Sequence, residues 1–285
     1  ATKKTQLLYK SLTHVPPKPK DCTWINYIRC HDDIGLGYEN NLIHELGWNP
    51  EIHRKFLLNY YCQRLDWSPA MGQVFMYNPK TGDGRITGSA ASLLGLEKGL
   101  IQKDPVLIEQ SIAKIIMLHG ITFAFGGIPL IYAGDEIGTL NDYSYLKDQS
   151  KKEDSRWLNR PMQDWGVVSQ LKNKELPQSK IFHTLQKLIR IRKENPVFAD
   201  HNDLLLYHTG NDHILVFERS NDKRKGLLVV CNFDENPQVI ETSWIKKLGY
   251  FAQGEPKDLV SGQKIKVNSG LLEVLPFQML WLKRA

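Results

Sequence analysis

Trp24-Ile-Asn-Tyr-Ile-Arg-Cys-His-Asp-Asp33 is the stretch of sequence that decides the fold. Its first seven residues, Trp24–Cys30, are rich in aromatic and β-branched side chains and predict a buried strand. Gly35 and Gly37 follow soon after and predict a turn. His31, Asp32 and Asp33 therefore stand where a strand ends, and in parallel α/β barrels the carboxyl ends of the strands carry the chemistry. An aspartate that merely caps a turn is the alternative.

A second short apolar run, Ile128–Tyr132, is also followed by a glycine and acids, Gly134-Asp135-Glu136. Ser111–Phe125, between the two runs, has the length and apolar content of a helix. The order strand, helix, strand predicts a piece of a β/α barrel or of a doubly wound parallel sheet. We expect Asp135 and Glu136 to order the loop after the second strand rather than to react.

The sequence predicts four segments along the chain. Residues 1–34 contain the end of a helix and the first strand, and residues 35–99 form a polar, glycine-rich subdomain inserted over the active-site face. Residues 100–198 contain helix–strand–helix units. The last of these helices has one apolar face, made of Ile181, Phe182, Leu185, Leu188 and Ile189. Residues 199–285 alternate short β-rich runs with turns and predict an antiparallel β-sandwich. The predicted strands are Leu204–His208, Ile214–Arg219, Leu227–Phe233, Gln238–Glu241, Lys264–Val267 and Phe277–Leu282.

Composition favours a globular protein and argues against several classes of partner. The 285 residues are 41% hydrophobic, and the net charge is only +6 because 31 acids offset the basic residues. The proline-rich stretch Pro16–Lys20 is a loop, and no nucleic-acid-binding motif accompanies it. The longest apolar run, Ile115–Phe125, is shorter than a bilayer span, so no membrane partner is expected. The four cysteines lack CxxC spacing, which predicts neither a zinc site nor disulfides and favours a reducing cytoplasm.

Asp154-Ser-Arg-Trp-Leu-Asn-Arg-Pro161 places an arginine between an acid and an aromatic residue. A guanidinium donates hydrogen bonds to hydroxyl groups, and an indole packs against an apolar ring face. The pair suits a sugar ligand. An ordinary ion pair in a loop is the alternative.

Four stretches taken in this order are similar to the amylosucrases, a branch of the α-amylase superfamily. They are NYIRCHDDIGLGY, FMYNPKTGDGRITGSAASLLGL, GGIPLIYAGDEIGTLNDYSY and EDSRWLNRP, and the likeness continues to PFQMLWLKRA. The resemblance covers essentially the whole chain and corresponds to roughly the second half of the family's enzyme. It implies a fold of the α/β plus all-β class: the last two strands and helices of a (β/α)8 TIM barrel with an inserted subdomain, then a C-terminal antiparallel β-sandwich.

The resemblance also implies roles for individual side chains. Asp32 resembles the family's third carboxylate, which grips sugar hydroxyls and stabilises the positively charged ring without attacking it. His31 would share a hydrogen bond with a neighbouring hydroxyl, and Asp33 would face the fructosyl unit of sucrose. Arg156 resembles the arginine that closes the glucose pocket through an ion pair with an acid, which in family members lies upstream of the position of Ala1. Arg54 and Arg85 resemble acceptor-side arginines; without the family they read as surface arginines.

The family's nucleophilic aspartate and general-acid glutamate belong to earlier strands, and no Gly-x-Arg-x-Asp occurs in this chain. We therefore expect the isolated chain to be inactive. For the intact parent, the resemblance implies retaining α-glucosyl transfer from sucrose to an α-glucan or maltooligosaccharide, with fructose release and without a metal or cofactor. A sucrose hydrolase, an α-glucosidase or α-amylase-like hydrolase, and a non-catalytic sugar-binding scaffold are the alternatives.

Two strands cannot close a barrel, so the predicted strands must leave open edges. We expect residues 1–198 to associate, either with a missing N-terminal barrel half or with a second copy of the chain.

Overall fold

A computed structural model describes residues 1–201, 203–220, 226–251 and 254–284. The chain divides into two compact units, each described by itself. Unit 1 comprises Ala1, Tyr27–Ile116 and Ile131–Thr184, and unit 2 comprises Thr2–Asn26, Met117–Leu130 and Leu185–Ala285. The four segments expected from the sequence stay a prediction.

Helices and short strands alternate up to residue 198, and strands dominate after it. The α-helices are α1 (Gln6–Thr13), α2 (Asn40–His44), α3 (Pro50–Tyr61), α4 (Ala90–Leu93), α5 (Leu96–Gln102), α6 (Pro105–Ala124), α7 (Trp165–Ser169), α8 (Pro177–Glu194) and α9 (Ser243–Lys247). The strands are β1 (Ile25–Asn26), β2 (Gln73–Phe75), β3 (Arg85–Thr87), β4 (Ile128–Pro129), β5 (Asp203–Tyr207), β6 (Ile214–Ser220), β7 (Gly226–Asn232), β8 (Gln238–Glu241), β9 (Leu271–Val274) and β10 (Met279–Lys283). Short 3-10 helices cover Asp135–Ile137, Tyr143–Lys147, Ser155–Asn159 and Pro196–Phe198.

In unit 2, β1 and β4 pair in parallel, as the order strand, helix, strand predicts. Ile25 lies opposite Ile128, and Asn26 opposite Pro129. The paired stretches are far shorter than the predicted strands Trp24–Cys30 and Ile128–Tyr132. The prediction that the first strand is buried is wrong for most of its apolar residues, because Trp24 is 41% exposed, Ile25 60% and Tyr27 50%. Ile128 of the partner strand is 56% exposed. Within the described residues each of these strands has one neighbour, so the outer edge of each is open.

The turn between α6 and β4 is held by the buried Arg219, the half-buried Arg192 and a glycine in a left-handed conformation. Arg192 donates to the carbonyls of Phe123, Phe198 and Gly127, and Arg219 donates to those of Phe125 and Ala199. The bond to Phe123 satisfies a carbonyl group of the last turn of α6, where helix carbonyls lack intrahelical partners. Gly127 has φ +70°, and a Cβ there would lie 2.4 Å from the Trp24 carbonyl oxygen. The close approach of β1 and β4 therefore requires glycine.

The C-terminal strands form two antiparallel sheets. One has the order β10-β7-β6-β5, and the other pairs β8 with β9. Side chains of both sheets share one apolar core, which includes Val216, Leu228 and Leu280 from the first sheet and Ile240 and Leu272 from the second. This arrangement agrees with the prediction that the chain after residue 199 forms antiparallel β-sheets. Glu218 lies buried in the unit, where it accepts hydrogen bonds from the hydroxyls of two tyrosines and pairs with an arginine; these partners are Tyr207, Tyr250 and Arg284.

One predicted strand is wrong and one real strand was missed. Lys264–Val267 alternates polar and apolar residues, but only Lys264 forms an isolated bridge, with Lys257. Ile265 still packs against the apolar core. Strand β9 takes the place beside β8 instead. The alternation of polar and apolar residues in Lys264–Val267 correctly indicated that Ile265 points inward. It did not indicate which segment pairs its backbone with a neighbouring strand.

Helix α6 is longer than the predicted helix Ser111–Phe125, and α8 carries its predicted apolar face. In α8 the predicted apolar face is present, with Ile181, Leu185 and Leu188 at most 1% exposed. Helix α6 has 20 residues because it begins at Pro105, ahead of the apolar run Ile115–Phe125 on which the expectation of no membrane span rested. By length and composition alone α6 could cross a membrane. Core helices of soluble proteins meet the same criteria, so this is weak evidence.

In unit 1, the residues after Asp33 include a short β-hairpin, and the inserted subdomain expected from the sequence stays a prediction. Strands β2 and β3 pair antiparallel, with Phe75 opposite Arg85. Ile34 exchanges backbone hydrogen bonds with Ile86 of β3, at 2.7 and 3.0 Å. These bonds fix the segment that directly follows Asp33 beside the strand that begins with Arg85.

We predict that the exposed β1–β4 pair makes the chain associate at micromolar concentration. Parallel sheets are normally covered on both faces, and open edges pair with other strands. Replacing Ile25 and Ile128 together by lysine should shift the sedimentation profile towards monomer. Ile101→Lys is the matched control, because Ile101 is 66% exposed but lies in α5.

A compact wild-type monomer in sedimentation velocity experiments would contradict this expectation. An equal effect of the control substitution would show that association does not run through the β1–β4 pair.

Candidate functional site

Asp32 and Arg156, two of the residues singled out in the sequence, form an ion pair in unit 1. Arg156 Nη1 donates to Asp32 Oδ1 at 2.9 Å. The opposite side of the same guanidinium is held by Asp154, whose Oδ1 and Oδ2 each accept a hydrogen bond at 2.9 Å. Asp154 also caps the 3-10 helix that carries Arg156, since its Oδ1 accepts from the Arg156 backbone N–H at 3.0 Å. A local cap thus orients the arginine, which then reaches a carboxylate 124 residues away in sequence.

The pKa values of Asp154 and Arg156 both shift in the direction that favours the charged form. Hydrogen bonds from Arg156 lower the pKa of Asp154, and Asp154 followed by Asp32 raises the pKa of Arg156. The Arg156 guanidinium also lies over the Phe75 ring, with 4.6 Å between Cζ and the ring centroid. Such a planar cation, pinned by a bidentate bond and a ring, presents its donors in a fixed direction.

A second arginine and an asparagine from the same 3-10 segment hold the backbone next to Asp32. Arg160 Nε donates to the His31 carbonyl oxygen at 2.8 Å, and Asn159 Nδ2 donates to it at 3.2 Å. Arg160 Nη2 lies 3.6 Å from Asp32 Oδ1. The His31 side chain is 64% exposed, and its Nε2 lies 3.7 Å from Asp32 Oδ2. Asp32 therefore lies among two arginines and a histidine, and its side chain is 46% exposed.

Beneath this group lies a buried ion pair between Arg29 and Asp135. Arg29 Nε and Nη2 lie 2.9 and 2.8 Å from Asp135 Oδ1, and Tyr132 packs against the guanidinium. Both residues are less than 5% exposed. Burial raises the pKa of Asp135 to about 6, against the opposing charge and hydrogen bond of Arg29.

Asp33 and Arg85 form a separate pair. Arg85 Nη1 donates to Asp33 Oδ2 at 3.1 Å. The Asp33 side chain is 6% exposed whereas that of Arg85 is 54% exposed, so the arginine is the accessible partner. The bonds between Ile34 and Ile86 described above position this pair.

Arg54 is not brought to this group by any contact that the described residues show. Its guanidinium donates to the carbonyls of Leu36 and Tyr38 and to the side chain of Asn40. It lines a surface cleft of about 920 Å³ bounded by α3 and by the loop that joins β2 to β3. Through these hydrogen bonds Arg54 holds the loop of residues 36–40 against α3.

Sequence reasoning named Asp32, Asp33, Arg85 and Arg156 but missed Arg29, Asn159 and Arg160 as their supports. Arg160 and Asn159 stand in the quoted segment Asp154–Pro161, so the signal was present. Nothing local in the sequence marks Arg29, which lies within an otherwise apolar run. Among the described residues no group of three or more His, Cys, Asp or Glu side chains is arranged to hold a metal ion.

Known proteins similar to this chain are enzymes of the α-amylase superfamily. No protein-family model matches it. The chain is 24% identical over 265 residues to glucosylglycerate phosphorylase of Escherichia coli strain K12, an alignment that covers 92% of this chain and 41% of that protein. It is 27% identical over 172 residues to cyclomaltodextrinase of Thermoanaerobacter pseudethanolicus, which covers 60% of this chain and 25% of that enzyme. The chain thus spans less than half of each relative.

One solved structure supports the fold. The crystal structure of sucrose 6F-phosphate phosphorylase from Thermoanaerobacter thermosaccharolyticum aligns with a TM-score of 0.55 at 18% identity, covering 81% of this chain and 40% of that one. Together with the parallel β1–β4 pair and the C-terminal sheets, this likeness supports a mixed α/β fold followed by β-sheets, shared with part of that enzyme. The barrel expected from the sequence stays a prediction. The finer identification as an amylosucrase stays a prediction.

We predict that Asp135 gives the unfolding free energy a distinctive pH dependence. A carboxyl whose pKa is about 6 when folded, and near 4 when unfolded, binds more protons in the folded state between these values. Stability from this residue is therefore largest below pH ~4 and falls as pH rises towards ~6. Relative to Asp135→Asn, the wild type should lose on the order of 1–3 kcal/mol across this window in urea titrations.

Glu153→Gln is the control, because the Glu153 side chain is 88% exposed. A wild-type advantage that grows with pH would instead show that the Arg29 charge outweighs burial at Asp135.

Proposed function

We propose that the intact protein transfers α-glucosyl units from sucrose to an α-glucan or maltooligosaccharide and releases fructose. The observation that carries the proposal is the half-exposed Asp32 carboxylate held by Arg156 at 2.9 Å. A fixed, accessible carboxylate beside fixed guanidinium donors suits a sugar with several hydroxyls and a developing positive charge. The names of the relatives are consistent with carbohydrate chemistry.

In this proposal Asp32 stabilises the transition state and does not attack. Glycosyl transfer passes through an oxocarbenium-like state, in which positive charge develops on the ring. A carboxylate already oriented by Arg156 and Arg160 meets that charge without having to reorganise. Arg156 donates to hydroxyls of the same sugar, and His31 contributes a further hydrogen bond at the exposed rim.

Asp33 and Arg85 serve the neighbouring sugar. The resemblance gives Asp33 the fructosyl side, but its side chain is only 6% exposed, so we propose that it acts there by orienting Arg85. The exposed Arg85 contacts the incoming acceptor. Arg54, which is bound to backbone carbonyls, acts on the acceptor side by shaping the loop of residues 36–40. These roles rest on the resemblance together with the Asp33–Arg85 contact.

Retaining transfer also needs a nucleophile and a general acid about 5 Å apart. We propose that both come from a part of the protein outside this chain, because the chain covers 41% of the phosphorylase it resembles and contains no Gly-x-Arg-x-Asp. No metal or organic cofactor is assigned to the reaction. The cytoplasmic location expected from the cysteine pattern is likewise proposed.

Phosphorolysis is a second candidate, favoured by a specific observation. The relative that covers 92% of this chain is named a phosphorylase, and so is the structural neighbour with a TM-score of 0.55. Inorganic phosphate would then replace the glucan as acceptor, and the products would be fructose and glucose 1-phosphate. Arg85 would contact the phosphate in place of an acceptor sugar.

Product analysis of the intact protein with sucrose separates these candidates. Glucan growth without phosphate supports transfer, phosphate-dependent glucose 1-phosphate supports phosphorolysis, and glucose equal to fructose supports hydrolysis. The 285-residue chain alone should release no more fructose than its Asp32→Ala variant. Fructose release above that baseline would contradict the assignment of the nucleophile and acid to another part of the protein. Sugar binding without turnover of any donor would support a scaffold.

We predict that substitutions at Asp32 and Arg85 in the intact protein separate two steps. Asp32→Asn should lower kcat by a factor on the order of 100–1,000, because the transition state loses a fixed charge. Arg85→Ala should alter acceptor use or product length while donor cleavage largely persists. Arg64→Ala, at another exposed arginine, is the control. Equal losses of donor hydrolysis and glucosyl transfer in both variants would contradict this division.

A further inference from the structure

The guanidinium of Arg29 has two sides with different partners. One side faces Asp135, with Nε and Nη2 at 2.9 and 2.8 Å from Oδ1. From the other side Nη1 donates to the carbonyls of Asn159 and Cys30, at 3.2 and 3.3 Å. One side therefore balances charge, while the other binds the two backbone segments that flank the candidate site.

Asn159 continues this connection towards Asp32. It is 1% exposed, its carbonyl accepts from Arg29, and its side-chain Nδ2 donates to the His31 carbonyl at 3.2 Å. Asp135, Arg29, Asn159 and His31 thus form a continuous series of polar contacts. The series ends on the peptide group that joins His31 to Asp32.

We propose that Arg29 and Asn159 are positioning residues, which hold the His31–Asp32 backbone so that the Asp32 carboxylate faces Arg156. The claim about sugar binding rests on the function proposed above, whereas the claim about backbone order does not. Neither residue touches the sugar in this account. They act through the carbonyl groups of Cys30, His31 and Asn159.

The chemistry of arginine explains why this position needs a guanidinium. A lysine could pair with Asp135, but its single ammonium cannot also span the carbonyls of Asn159 and Cys30 on the other side. Arg29→Lys therefore keeps the charge balance and removes the connection to the site. Asn159→Leu removes the Nδ2 donor at similar volume and leaves the Arg29–Asp135 pair in place. The two variants break the same series at different points.

The first measurement is the order of the segment in the 15N-labelled full chain. In both variants the heteronuclear NOE of the Asp32 amide should fall, and the guanidinium protons of Arg156 should exchange faster. Lys98→Gln is the control, since Lys98 also donates to two backbone carbonyls, those of Asp66 and Ser68. The control should leave both signals unchanged. A role in stability alone would lower the unfolding temperature without changing these local signals.

The second measurement is a sucrose titration of the same proteins, followed by chemical shifts. Each variant should bind sucrose about fivefold or more weakly than the wild type, the equivalent of one lost hydrogen bond. If the wild type binds no sucrose, the proposed function loses its support, and the order of Asp32 and Arg156 still decides the positioning role.

Unchanged NOE and exchange in either folded variant would overturn the proposal. Loss of the folded spectrum in both variants would also overturn it, because the series would then support the fold rather than the site. If only Arg29→Lys fails to fold, the NOE and exchange measurements on Asn159→Leu decide whether the proposal holds.

Discussion

The buried pair of Arg29 and Asp135 is the constraint on which the candidate site depends. Removing two charges from water costs several kcal/mol per ion, and only good geometry together with further hydrogen bonds offsets that cost. Here Tyr132 packs against the guanidinium and two backbone carbonyls accept hydrogen bonds from its far side. Asp135 Oδ2 accepts none from the described residues, and burial still raises the pKa of Asp135. A buried charge with so many required contacts tolerates few alternative arrangements. The loop that carries Asp32 is restricted in the same way, because Arg29 donates to the carbonyl of Cys30 in that loop.

The ion pair of Asp32 and Arg156, unlike the pair of Arg29 and Asp135, is partly exposed to solvent. In the proposed function the Asp32 carboxylate contacts a sugar, and its side chain is 46% exposed rather than buried among its partners. The structure orients it from one side instead: Asp154 fixes Arg156, and Arg156 reaches Asp32. Sharing one guanidinium between two carboxylates leaves the second acid able to meet a further positive charge. The pair of Asp33 and Arg85 follows the opposite pattern, with the acid covered and the base exposed.

Within unit 2, the expected strands show how far a local pattern can be trusted. Five of the six strands predicted after residue 203 match observed strands to within two residues, because each of these has a neighbour that pairs with its backbone. Lys264–Val267 shows the same alternation and places Ile265 against the core, yet no adjacent strand continues the ladder. Trp24–Cys30 fails for a related reason. Its apolar side chains need a covering layer, and the described residues leave Ile25 exposed.

The sequence by itself determined the parallel pairing of β1 with β4, the apolar face of α8 and the presence of C-terminal sheets, since these follow from periodicity and chain order. It also singled out Asp32, Asp33, Arg85 and Arg156 by residue type and resemblance. Only the tertiary structure decided which arginine meets which acid. Arg29 and Asp135 are 106 residues apart in sequence, and Asp32 and Arg156 are 124 apart. Periodicity describes neighbours within a few residues, whereas burial and ion pairing are set by segments that meet only after folding; this is why the apolar run buried its arginine and exposed its isoleucine.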